Sequence, residues 1–226
     1  MDLGYLILIV VSTAIGLGAQ TYVNHMINKY QQVPTSTGLT GSLAAQRMLE
    51  YNHVYNVPVS QGKSGQDYFD PTTNSITIDP HAYSNNSITA MATACHEVGH
   101  ACQFAEGYWL MKLRSSLVPV VNLSSNAWML FLIAGIVLYS AGALGLGNTF
   151  IVIAIALYAF AVLFHLVTLP VEFNASHRAM NYLQETGLPE EERAGAFNVL
   201  RACALTYVAA ALVSILQLLW LLQQQR

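Results

Sequence analysis

Between Arg114 and Glu172 the chain carries no Asp, Glu, Lys or Arg. One helical crossing of a bilayer takes about 20 apolar residues, so an uncharged run of this length has room for two. Glycines 142, 145 and 147 and Asn148 interrupt its middle, which predicts spans over residues 127–146 and 149–169 joined by a tight turn. Residues 3–23 and 202–222 are further apolar segments without a charge. A secretory signal is the rival reading of the first, but no basic residue precedes it and the run is long for a signal core. A charge at a span centre costs about 2.5–3.5 kcal/mol, and none of the four segments contains one. Composition agrees with a membrane protein: 54% of residues are hydrophobic and 9% charged.

Four spans divide the chain into a transmembrane helix over residues 1–24, a water-facing region over 25–116 and a transmembrane hairpin over 117–170. A second water-facing segment over 171–201 and a last transmembrane helix over 202–226 complete it. Lys29, Lys112, Arg114, Arg178 and Arg201 all fall in or beside the two water-facing segments. The positive-inside rule places those segments in the cytoplasm and both termini outside it. A net charge of −3 without a basic cluster speaks against a nucleic-acid partner. Cys95, Cys102 and Cys203 form no disulfide framework or metal-ligand spacing and read as packing residues.

The chemistry-bearing pattern is His96-Glu97-Val98-Gly99-His100. On a helix, residues four apart lie one above the other, so both histidines can face one tetrahedral zinc ion while Glu97 reaches a water beside it. Chance would produce this pattern in roughly one such chain in a hundred, so its surroundings must support it. Asn86 or Ser87 is positioned to cap a helix over residues 88–105, with Gly107 at its end. Residues 42–51 read as a short helix after Thr40. Residues 67–70 and 75–79 flank Pro71-Thr-Thr-Asn74 as a hairpin, whose second strand has an edge that could take up an extended peptide. Pro170 closes the third span, a helix then ends before Gly187, and Pro189 opens a helix that continues into the fourth span.

A hydrolytic zinc needs a third protein ligand and one open position. Glu106 lies on another face of the helix, and His165 is inside a span, where a histidine more often bonds a neighbouring helix. Glu172 follows the third span, so the hairpin returns it to the membrane face that the chain left after the histidine helix. Its competing reading is an interfacial charge at a span end.

The segments Cys95-His-Glu-Val-Gly-His-Ala-Cys-Gln103, Tyr68-Phe-Asp-Pro71 and Leu169-Pro-Val-Glu-Phe-Asn-Ala-Ser176 together resemble the "putative neutral zinc metallopeptidase" family of bacterial membrane proteins. The likeness covers nearly the whole chain. It implies a mainly α polytopic membrane protein with about four transmembrane helices and a small α+β zincin-like catalytic domain on the cytoplasmic side of the bacterial inner membrane. The implied activity is zinc-dependent hydrolysis of a peptide or membrane-protein substrate, with His96, His100 and Glu172 as ligands and Glu97 as general base. In more distant gluzincin membrane proteases the glutamate matching Glu172 is the third ligand. The family pattern has aspartate at Asn174, and the distant group has it at Ser176, so a carboxylate that orients a zinc-bound histidine is either missing or supplied from elsewhere, such as Asp79. A non-catalytic membrane scaffold or chaperone partner that retains a zinc site is the alternative.

Overall fold

The structure, a computed structural model, describes residues 3–225. In chain order the elements are α1 (Leu3–Gln31), α2 (Gly41–Tyr51), β1 (Val59–Gln61), β2 (Tyr68–Asp70) and β3 (Ser75–Ile78). They continue with α3 (Pro80–Ser84), α4 (Ile88–Ala105), α5 (Trp109–Ser140), α6 (Leu144–Glu185) and α7 (Glu190–Gln223). The chain divides into two compact units, and α1, α5, α6 and α7 each contribute to one or both.

The first unit comprises Leu113–Thr168 with the chain ends up to Leu17 and from Tyr207. Four helices, α1, α5, α6 and α7, are long and apolar enough to cross a membrane. Only 6% of the most apolar stretch of α1 and 28% of that of α6 is buried inside the protein, so most of this hydrocarbon surface faces outward. Water would penalise it at roughly 25 cal/mol per Å², a cost that lipid removes. The turn between α5 and α6 comes earlier than predicted: α5 ends at Ser140, and Gly142 takes a left-handed φ of +90°. The segment 127–146 is therefore not one helix, and the reversal uses Gly142 because glycine tolerates that conformation easily. Gly147 lies inside α6, where a Cβ would come within 2.5 Å of the Tyr139 nitrogen. Small residues there let the two helices pack closely.

The second unit comprises Gly18–Lys112 and Leu169–Thr206. Its core is built from Met48 of α2, Ile76 and Ile78 of β3, Cys95 and Val98 of α4, Val171 and Leu183 of α6 and Val199 of α7. The predicted hairpin is present as antiparallel β2 and β3, with Phe69 opposite Ile76. Asp70 holds its turn by accepting from the Thr72 N–H and the Thr73 hydroxyl, both at 2.8 Å. The sequence did not foretell β1, which pairs parallel with β3 from Val59 opposite Ile76 to Gln61 opposite Ile78. β3 is thus the central strand, and it has no free edge to offer a peptide; the edges belong to β1 and β2.

Thr40 caps α2 and Ser87 caps α4, whose bounds match the expected 88–105. The chain leaves α4 through Gly107 at φ +70°. Pro170 does not end a helix: α6 runs through it to Glu185, so the residues after the third span continue the same helix. Within this unit the Thr89 hydroxyl donates to the Ile27 carbonyl at 3.0 Å, tying α4 to α1.

Candidate metal centre

α4 presents His96 and His100 on one face, with ring centroids 4.8 Å apart in an edge-to-face arrangement. α6 brings Glu172 against them. Its Oε2 lies 3.2 Å from His96 Nε2 and 3.6 Å from His100 Nε2. The three donor atoms all fall within 4.8 Å of one another. A tetrahedral ion with ligand bonds near 2.0–2.1 Å separates its ligand atoms by about 3.3 Å, so this spacing suits zinc with little adjustment. Two neutral imidazoles and a carboxylate are the donor chemistry such a site requires. Burial opposes the charge on Glu172, but the facing His100 and His96 rings outweigh it and hold the carboxyl far below the usual carboxylate range. His96 has 15% side-chain exposure against 7% for His100, so the open side of the cluster is at His96.

Gly99 allows α4 and α6 to approach. A Cβ at this position would lie 2.5 Å from the Ala175 carbonyl oxygen and 3.0 Å from its Cα. Backbone cannot move aside as a flexible side chain can, so the glycine between the histidines also sets the spacing to Glu172.

Both histidines are held from behind. His96 Nδ1 is 3.1 Å from the Ser176 hydroxyl, and His100 Nδ1 is 3.0 Å from Gln103 Oε1. Gln103 donates to the Val171 carbonyl at 2.8 Å and to Asn174 Oδ1 at 2.9 Å. Arg178 Nε donates to the same Asn174 oxygen at 2.8 Å, while its fork donates to both oxygens of Glu106 at 2.6 and 2.7 Å. Those bonds lower the Glu106 pKa and raise that of Arg178.

A family model described as "Putative neutral zinc metallopeptidase" matches residues 5–226. The chain belongs to this metallopeptidase family. It is also 40% identical over 217 residues to "Putative membrane protease YugP" of Bacillus subtilis (strain 168), covering 95% of this chain and 93% of that protein. No solved structure matches it.

Around the centre of this family member one sequence expectation needs correction. Asp79 supports no histidine: its carboxylate caps α3 by accepting from the His81 and Ala82 N–H groups, and also accepts from Gly65 N–H. Ser176 and Gln103 take the role instead. Gln103 could have been found, because it lies three residues past His100 on the same helix face. Glu106 and Arg178 spend their charges on each other, so the Arg178 fork is committed away from the metal cluster. His177 lies beside Asn181, and His53 beside Tyr55. Glu97 is 8% exposed, one residue after His96. Burial, with added repulsion from Glu97 and Asp79, pushes the nearby Asp67 carboxyl up to about 6 despite the N–H it accepts from Asp79. Burial also raises the Cys95 thiol and pushes Cys102 up to about 11, and neither belongs to the metal cluster.

Proposed function

We propose that the protein is a membrane-embedded zinc metalloendopeptidase whose site lies on the cytoplasmic side of the bacterial inner membrane. The observation that carries this reading is the convergence of His96, His100 and Glu172 within 4.8 Å, with Glu97 in the same helical turn. His96 Nε2, His100 Nε2 and Glu172 Oε2 would hold the ion. Zinc bound there supplies Lewis acidity to a peptide carbonyl and makes water nucleophilic at neutral pH. The Glu97 carboxylate accepts the proton released by the attacking water and delivers it to the departing amide nitrogen. Such proton transfer typically contributes about 10²–10⁴ in rate. A substrate would approach from the side of His96, the most exposed of the three, since His100 and Glu172 are closed in by protein. The family match and the relative described as a membrane protease support the same chemistry. Because Glu172 is carried by α6, a helix long and apolar enough to cross a membrane, the reading favours substrates that are membrane proteins or their cytoplasmic tails.

The test uses full-length protein in detergent, with metal analysis and a casein-type cleavage assay. Parent protein is expected to bind one zinc per chain and cleave. Glu97→Gln is expected to keep the zinc and lose at least about 10²-fold in cleavage, while His100→Ala and Glu172→Ala lose the metal. Undiminished cleavage by Glu97→Gln sinks the mechanism. Zinc without cleavage in the parent favours the scaffold alternative, against which stands a cluster of three ligands among the described residues, where purely structural zinc has four.

A further inference from the structure

We infer that Gln103 is a positioning residue that fixes the tautomer of His100, and that Arg178, acting through Asn174, helps hold Gln103 in the orientation this requires. The inference rests on reading His96, His100 and Glu172 as a zinc site.

A guanidinium only donates hydrogen bonds. Arg178 anchors its fork on Glu106 and points Nε at Asn174, 2.8 Å away, so the Asn174 atom facing it must be the amide oxygen. That oxygen also receives a bond from Gln103 Nε2 at 2.9 Å. The other N–H of Gln103 goes to the Val171 carbonyl at 2.8 Å, and a backbone carbonyl only accepts. Two partners with no freedom of polarity therefore fix the Gln103 nitrogen. Its oxygen is left facing His100 Nδ1 at 3.0 Å.

An amide oxygen cannot donate, so His100 Nδ1 must carry the proton. Nε2, across the ring and turned toward Glu172, then presents a lone pair. Imidazole binds a metal only through an unprotonated nitrogen, and the hydrogen bond made by its other nitrogen selects the tautomer. Ser176 cannot impose this on His96, because a hydroxyl either donates or accepts. Polarity is thus dictated on the His100 side. Gln103 is fully buried, and its side-chain amide bonds only to His100, Val171 and Asn174 among the described contacts.

The experiment compares zinc affinity of full-length protein in detergent, by chelator competition, with the visible absorption of the cobalt-loaded form as a report on ligand geometry. Gln103→Met keeps the length and removes the amide. It is expected to weaken zinc binding about 10–100-fold and alter the cobalt spectrum. Asn174→Leu removes one anchor of Gln103 and is expected to act in the same direction. Asn174→Asp keeps an accepting oxygen for both Arg178 and Gln103, and is expected to recover the affinity and spectrum that leucine loses. A merely space-filling position would not distinguish aspartate from leucine in this way. The Asn174 pair keeps the test decisive if Gln103→Met does not fold. Parent-like affinity in Gln103→Met, or equal loss in Asn174→Asp and Asn174→Leu, overturns the inference and leaves the zinc reading standing. A parent that binds no zinc overturns both.

Discussion

Glu172 is a carboxylate with 2% exposure, and withdrawing an ion from water costs several kcal/mol unless partners compensate. A zinc ion held between it and the two imidazoles would supply that compensation, which fits a residue legible as an interfacial charge being found inside the site. Glu106 shows the opposite outcome. From sequence it competed as a ligand, yet an exposed carboxylate gains more from the bidentate Arg178 fork nearby than from a buried cluster it cannot reach. Asp67 yields a prediction at this scale. Its folded pKa of about 6 lies above the ordinary 3.8, so the fold binds its proton more tightly than the unfolded chain does. Ionisation therefore opposes folding: the penalty is absent below about pH 4, grows through the window up to about pH 6 and is complete above it. Asp67→Asn keeps an acceptor for the Asp79 N–H and removes the charge. In chelator-treated protein it should melt above the parent near pH 8 and together with it near pH 4. Identical melting at both pH values would show that the Asp67 charge is not strained by the fold.

Among the elements, α4 was readable in detail, because its cap at Ser87, its apolar face and Gly107 are all local signals. α6 was not. Proline removes one backbone hydrogen bond and ordinarily marks a boundary, but a helix packed along both its halves can carry it. The helical stretch after Pro170 has a functional result: Glu172 and Ser176, one turn apart, both face His96, while Asn174 and Arg178, also one turn apart, both serve Gln103. Gly99 is where α4 and α6 touch. Gly99→Ala would push a Cβ into the Ala175 backbone, and overpacking of this kind costs about 1–3 kcal/mol. The variant should lower both the melting temperature and the zinc occupancy, although every ligand remains. Calorimetry and metal analysis check this, and parent values for both would mean that the helices accommodate the methyl.

For the whole molecule the charge distribution makes the strongest statement. Of the nine Lys and Arg residues, all but Arg114 and Arg226 belong to the unit that contains the metal cluster. On the proposed reading, four crossings and the positive-inside rule would put that unit in the cytoplasm and both termini outside it. A C-terminal fusion to a reporter active only outside the cytoplasm should therefore be active in cells. Activity of a reporter that works only in the cytoplasm would reverse the topology and move the site to the other face. The apolar helices argue for the membrane on energetic grounds as well, since residues such as Leu130 and Ile133 remain 68% and 53% exposed in the protein alone.

The sequence by itself determined what depends on neighbours along the chain: the apolar segments, the β2–β3 hairpin, the capped histidine helix, and the two histidines with the glutamate between them. It also made Glu172 the favoured partner, because a membrane hairpin constrains which face a distant residue returns to. Only the tertiary structure decided the rest: β1 beside β3, the uninterrupted α6, Asp79 as a cap, Ser176 behind His96, and the partners that hold Gln103 behind His100. The physical reason is that helix and turn signals act over a few residues, whereas a buried polar atom is satisfied by whatever packing brings to it. Gln103 meets Val171 and Asn174 across gaps of 68 and 71 residues, and no local pattern encodes that meeting.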